Sequence, residues 1–164
     1  MASNNSKWQM RLSFGSLISL FLVPNMAGAA DDMESIAQKF IGDYELVSYF
    51  RFPADGGEVD MKYIGRLSYD AFGNMSGLGM PIDFPGSAAQ TPQRRTAGFA
   101  YWGKVSIDVE KGIVIHHVEG SPMIAAWVGG DNVRYFEFVD DLLKLSLKNS
   151  AGEITGTLTW RRLK

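Results

Sequence analysis

The chain has 164 residues, 46% hydrophobic and 12% aromatic, which is enough for one domain with a real core. Its net charge of −2 leaves no electrostatic footprint for nucleic acid or an anionic membrane. It contains no cysteine, which excludes disulfides, thiol catalysis, thiolate metal sites and lipid attachment through an N-terminal Cys.

Residues 1–29 read as a secretory signal. Lys7 and Arg11 supply a positive n-region, residues 12–23 an apolar stretch of h-region length, and Ala27-Gly28-Ala29 a small-x-small cleavage site. The apolar run is shorter than the ~20 residues a membrane span needs. Cleavage near Ala29 leaves no stable membrane anchor and a mature charge of about −4, by counting ionisable residues. Export without cysteines suits a bacterial periplasm better than a disulfide-rich exterior, so a periplasmic or secreted protein is expected.

Residues 30–41 form a short helical lead-in, with Met33, Ile36, Ala37 and Phe40 at helical spacing. From Gly42 the period becomes two. Tyr44, Leu46, Ser48 and Phe50 alternate with Glu45, Val47, Tyr49 and Arg51, and 53–57 ends the strand. A second strand covers about 62–70. The loop Ala71-Phe72-Gly73 turns it into a third, with Gly73 at the position that takes positive φ. Residues 80–97 are irregular, broken by Pro81, Pro85 and Pro92, with a short helix expected after Thr91-Pro92. A loop of this length serves as a lid or as a plain surface excursion.

Strand four spans 99–109. A three-residue loop, Glu110-Lys111-Gly112, pairs Val109 with Ile113. That register places Ile113, Ile115, His117 and Glu119 on the face of Tyr101, Val105 and Ile107, with His116 on the opposite face. Both histidines of the chain and Glu119 therefore lie in a Val- and Ile-rich strand, where polar groups must find partners. Strand six, 132–139, puts Arg134, Phe136 and Phe138 on one face. Asp140-Asp141 turns into strand seven, 142–148, with Leu143, Leu145 and Leu147 inward. Strand eight, 155–163, carries Leu158 and Trp160. Eight strands joined mostly by short hairpins predict an all-β fold, an antiparallel up-and-down barrel behind a short N-terminal helix. A sandwich is the competing closure, and only one loop is long enough to supply its crossover.

Four blocks resemble the lipocalin-like domain family of bacteria and fungi: Gly42-Asp-Tyr-Glu-Leu-Val-Ser-Tyr49; Gly65-Arg-Leu-Ser-Tyr69 with Gly73-Asn-Met75; Ala100-Tyr-Trp-Gly103 with residues 114–121, 127–129 and 134–136; and Leu158-Thr-Trp-Arg161. The third is the most specific. Tyr44 stands where the family usually has Trp, a residue that in lipocalins packs against an Arg of the last strand. Here Arg161 or Arg162 is the corresponding partner for a cation–π contact. The resemblance implies a barrel of residues 42–164 and binding of a small molecule. It implies no particular reaction.

The inward set offers two chemistries. As a binding protein, the barrel would take a small hydrophobic or amphipathic molecule. Tyr101, Trp127, Phe136 and Phe138 would form its walls, and His117, Glu119 and Arg134 would anchor a polar head or lock one another in a buried ion-pair network. As an isomerase or cyclase, it would use His117 and Glu119 as an acid–base pair, with Arg134 stabilising an oxyanion. Two candidate ligands on one strand are too few for a metal site, so neither metal nor cofactor is expected. A third reading, an interaction module, rests on outward-facing Trp102 and the Pro-rich loop of residues 80–97, and Trp102 also has the option of packing under the N-terminal helix.

Overall fold

The computed structural model describes residues 26–83 and 98–164. Residues 1–25 of the expected signal segment 1–29 and residues 84–97, with the short helix expected after Pro92, lie outside the described residues, while residues 26–29 fall within the first helix. Helix α1 (Met26–Phe40) leads into nine strands: β1 (Gly42–Arg51), β2 (Val59–Asp60), β3 (Tyr63–Tyr69), β4 (Asn74–Pro81), β5 (Phe99–Asp108), β6 (Ile113–Gly120), β7 (Asp131–Val139), β8 (Leu142–Lys148) and β9 (Ile154–Arg162).

From β3 to β9 each strand pairs antiparallel with the next, and β1 joins β3 to β9. Pairs from Tyr44↔Arg162 to Arg51↔Gly156 close the ring. The two-residue β2 only extends the far end of β1. The result is a closed eight-stranded barrel, and the sandwich alternative falls, because closure leaves no sheet edge between first and last strands.

Two hairpins follow sequence logic. Residues 71–73 form the expected loop, with Gly73 at φ 76° and Asp70 bonded to Asn74 across its base. Val139 pairs with Leu142 around Asp140, which takes φ 54°. Leu143, Leu145, Leu158 and Trp160 are all buried. In β1 the alternation breaks. The register shifts between Leu46 and Ser48, so Val47 bulges outward and Tyr49 turns inward where strict alternation kept it outside.

Helix α1 plugs one end. Its last residue, Phe40, is 1% exposed and meets the rings of Tyr69, Phe136 and Phe138 edge-on at centroid distances of 5.4, 5.1 and 5.0 Å. The Tyr44 hydroxyl is shared between the carbonyls of Lys39 and Phe40, at 2.7 and 2.9 Å, tying β1 to the helix's open C-terminus. Arg162, not Arg161, stands opposite Tyr44 in the ladder. Trp102 is 51% exposed and does not lie beneath the helix. Its ring covers Gly120, where an added Cβ would meet it at 2.1 Å.

Candidate ligand-binding site

The largest correction concerns the two histidines. Asp108, not Val109, pairs with Ile113, so the β5–β6 loop has four residues rather than three. Its turn is set by Asp108, whose carboxylate accepts from the Lys111 backbone N–H at 3.0 Å, and by Gly112 at φ 63°. A one-residue slip exchanges the faces of a strand. Val114, His116 and Val118 are therefore inside, while His117 faces outward and Glu119 is exposed at the bulge opposite Trp102 and Gly103. The ion pair expected between Glu119 and Arg134 does not exist. His117 bonds instead to Ser106 and Asp131 on the outer surface. An acid–base pair of His117 and Glu119 cannot reach a molecule inside the barrel.

The remaining expected residues do face inward. Tyr101, Trp127 and Arg134 line a cavity together with Tyr49, Leu67, Gly77, Phe99, Leu145, Leu147, Leu158 and Trp160. Phe136 and Phe138 lie deeper, against Phe40, and form the floor's packing rather than the cavity wall. Trp127 enters from the β6–β7 connection through one 3-10 turn, Ala125–Trp127, and meets Tyr101 edge-on at 5.3 Å. Ser121 fixes that connection: its hydroxyl donates to the Ala100 carbonyl at 2.9 Å and accepts from the Ile124 N–H at 3.0 Å.

Glycine makes the space. Gly77 lies on the inner face of β4, where a Cβ would already meet Tyr101 at 3.4 Å and Leu67 at 3.5 Å. The cavity measures about 90 Å³, and about 530 Å³ with its open mouth. One water needs roughly 10–15 Å³, and an apolar cavity of about 150 Å³ takes benzene. The interior thus has room for one end of a small molecule.

Behind the wall runs a buried polar chain that the wrong register had hidden. His116 is 1% exposed, its Nε2 lying 2.7 Å from the Tyr69 hydroxyl and its Nδ1 2.9 Å from that of Tyr101. Burial, with the charge of Arg134 and then His117 adding to it, pushes the His116 pKa down to about 3. The ring is therefore neutral, with one N–H donor and one acceptor nitrogen, so one phenol donates to it and the other accepts. Burial also raises both phenols, Tyr69 well above 10; at Tyr101 the Arg134 charge and hydrogen bond oppose the rise.

The interior is rich in donors. Arg134 donates to the Val133 carbonyl at 2.9 Å, besides its bond with Tyr101, and has no carboxylate partner among the described residues. The Trp160 indole N–H and the Asn132 amide nitrogen are buried without acceptors among the described residues. No carboxylate among them is buried or lines the cavity. Buried donors left unmatched are costly, by roughly 1–3 kcal/mol each.

A closed antiparallel barrel of eight strands has an interior that side chains fill or that has room for one small ligand, and here it encloses an aromatic-walled cavity. Residues 85–163, the stretch that includes β5 to β9 and most of the cavity wall, match the family model described as a lipocalin-like domain. Among solved structures, a lipocalin-like protein from Bacteroides uniformis ATCC 8492 aligns at 15% identity and a TM-score of 0.46, over 76% of this chain and 99% of that one. No curated protein matches.

Proposed function

We propose that this protein is an exported carrier for a small amphipathic molecule whose apolar body lies among Tyr49, Phe99, Trp127 and Leu147 and whose anionic head, a carboxylate in the simplest case, rests on Arg134 and Tyr101. The surplus of interior donors over acceptors carries this reading. A carboxylate offers about four lone-pair sites, accepts a guanidinium in bidentate fashion, and supplies the counter-charge that the described interior lacks. The match to a lipocalin-like domain model supports small-molecule binding in general. The charged, apolar and small-residue order of residues 7–29 supports export to a periplasm or the exterior.

Native mass spectrometry of protein purified gently from its own host tests the reading. The expected spectrum shows a co-purified small acid in the wild type and none in Arg134→Met, which keeps the side chain's apolar bulk. Truncating one side of a desolvated charge pair weakens binding by about 2 kcal/mol or more, roughly thirtyfold. A wild-type protein that stays empty in native spectra and in titrations with acids of graded chain length contradicts the proposal. The same preparation gives the mature mass, which is expected to begin at Ala30 or one residue beyond.

A further inference from the structure

The outer face of the barrel holds a hydrogen-bonded series that the cavity does not use. Ser106 of β5, His117 of β6 and Asp131 of β7 lie on three adjacent strands. The Ser106 hydroxyl is 2.8 Å from His117 Nε2, and His117 Nδ1 is 2.7 Å from the Asp131 carboxylate. An ionised carboxylate only accepts, so Nδ1 carries the ring proton and Nε2 presents its lone pair to the Ser106 O–H. This is the tautomer that activates a serine.

The surroundings have a definite order. One ladder row is Lys104–His117–Asp131, and the next is Ser106–Ile115–Val133. Lys104, its ammonium held by Asn74, shares the face of Ser106 two residues away and is the local positive charge. Ile115 and Val133 extend an apolar strip from Ser106, with Val133 38% exposed. The His117 and Asp131 side chains are 42% and 57% exposed, so the series is open to solvent-borne molecules.

We propose that Ser106, His117 and Asp131 form a second, surface site that cleaves small esters with short apolar acyl groups. Ser106 Oγ attacks the ester carbonyl carbon while its proton passes to His117 Nε2. Lys104, two residues along the same face, is the cation available to the tetrahedral oxyanion. Its collapse breaks the bond to the alcohol oxygen, which takes the proton from His117. Water, deprotonated by the same nitrogen, then releases the acid from acyl-Ser106 and restores the hydroxyl. Ser106 and His117 are the catalytic residues, and Asp131 is a positioning residue that fixes the tautomer.

A fluorophosphonate probe reads this chemistry directly, because Ser106 Oγ forms a bond to phosphorus as fluoride leaves and the proton goes to His117. Peptide mapping is expected to find Ser106 modified about a hundredfold faster than Ser76, an exposed strand serine on β4, in line with the contribution of a positioned base. His117→Ala is expected to bring the two rates together, with added imidazole restoring the Ser106 rate, and Asp131→Asn to slow labelling at least tenfold. p-Nitrophenyl acetate hydrolysis is expected to follow the same order. All three residues are solvent-accessible, and thermal melts confirm that each variant is folded at the assay temperature. Equal rates at Ser106 and Ser76, or undiminished labelling in either variant, overturn the proposal and leave the series as a clasp between strands.

Discussion

Acidification from pH 7 to pH 4 is expected to remove roughly 3 kcal/mol of stability through His116 alone. The folded-state pKa is about 3, against about 6.5 in an unfolded chain. Below pH 6.5 the unfolded chain takes up a proton that the native ring, enclosed by Tyr69 and Tyr101 and facing Arg134, does not accept. The contribution is therefore complete above pH 6.5 and falls by up to about 1.4 kcal/mol per pH unit until the folded pKa is reached. The depressed carboxylates of Asp60, Asp70 and Asp108 add acid sensitivity of the same sign only at lower pH. Denaturant unfolding of the wild type and His116→Gln at several pH values isolates the term, since every other group is common to both. Gln keeps a donor and an acceptor between the two phenols but does not titrate. The variant is expected to be the less stable protein at pH 7 and to lose less on acidification. Parallel pH profiles would mean that the imidazole is not enclosed in solution.

Phe40→Ala is expected to destabilise the barrel by about 3–5 kcal/mol, the range for emptying a fully buried aromatic site. Its ring closes the end of the barrel against Tyr69, Phe136 and Phe138. At about 2–4 °C per kcal/mol for a chain of this size, the melting temperature drops by roughly 6–20 °C. Met33→Ala in the same helix is the control. Met33 is 49% exposed, and a change there falls within about 0.5 kcal/mol. If the two variants melt alike, the helix does not plug the barrel. Ligand affinity in Phe40→Ala, measured below its melting temperature, is expected to change little, because Phe40 does not line the cavity.

Much of this architecture was legible from hairpins. The loops at Ala71-Phe72-Gly73 and Asp140-Asp141 have the length their residues predict, and the second sets the inward faces of β7 and β8. Arg134 follows from that pairing and Tyr101 from the alternation within β5, whereas Trp127 lies off the strands and only its nearness in sequence points to it. The histidines follow neither way, because one loop is one residue longer than expected. The β3–β4 turn begins at Asp70, whose carboxylate accepts the N–H groups of Phe72 and Asn74, whereas Asp108 accepts the N–H of Lys111 in the next hairpin. Asp70 faces Asn74 across three residues and Asp108 faces Ile113 across four, and only the longer loop puts His116 inside. Tyr49 was hidden for a different reason. Its inward turn depends on the bulge at Val47, which is a product of barrel closure with β9 and leaves no mark in β1 itself. The contact of Phe40 with three strands is likewise tertiary, and the helical spacing showed only that the residue belongs to the buried stripe.

The interior is expected to select an anionic head on an apolar body, and matched titrations read that preference. Trp127 and Trp160 both line the cavity, so their fluorescence reports occupancy. Octanoate and octanol share a chain and differ in the head. The carboxylate is expected to bind at least tenfold more tightly, with the difference lost in Arg134→Met. Equal affinities for acid and alcohol in the wild type, or a preference that survives Arg134→Met, would mean that Arg134 does not select the head group.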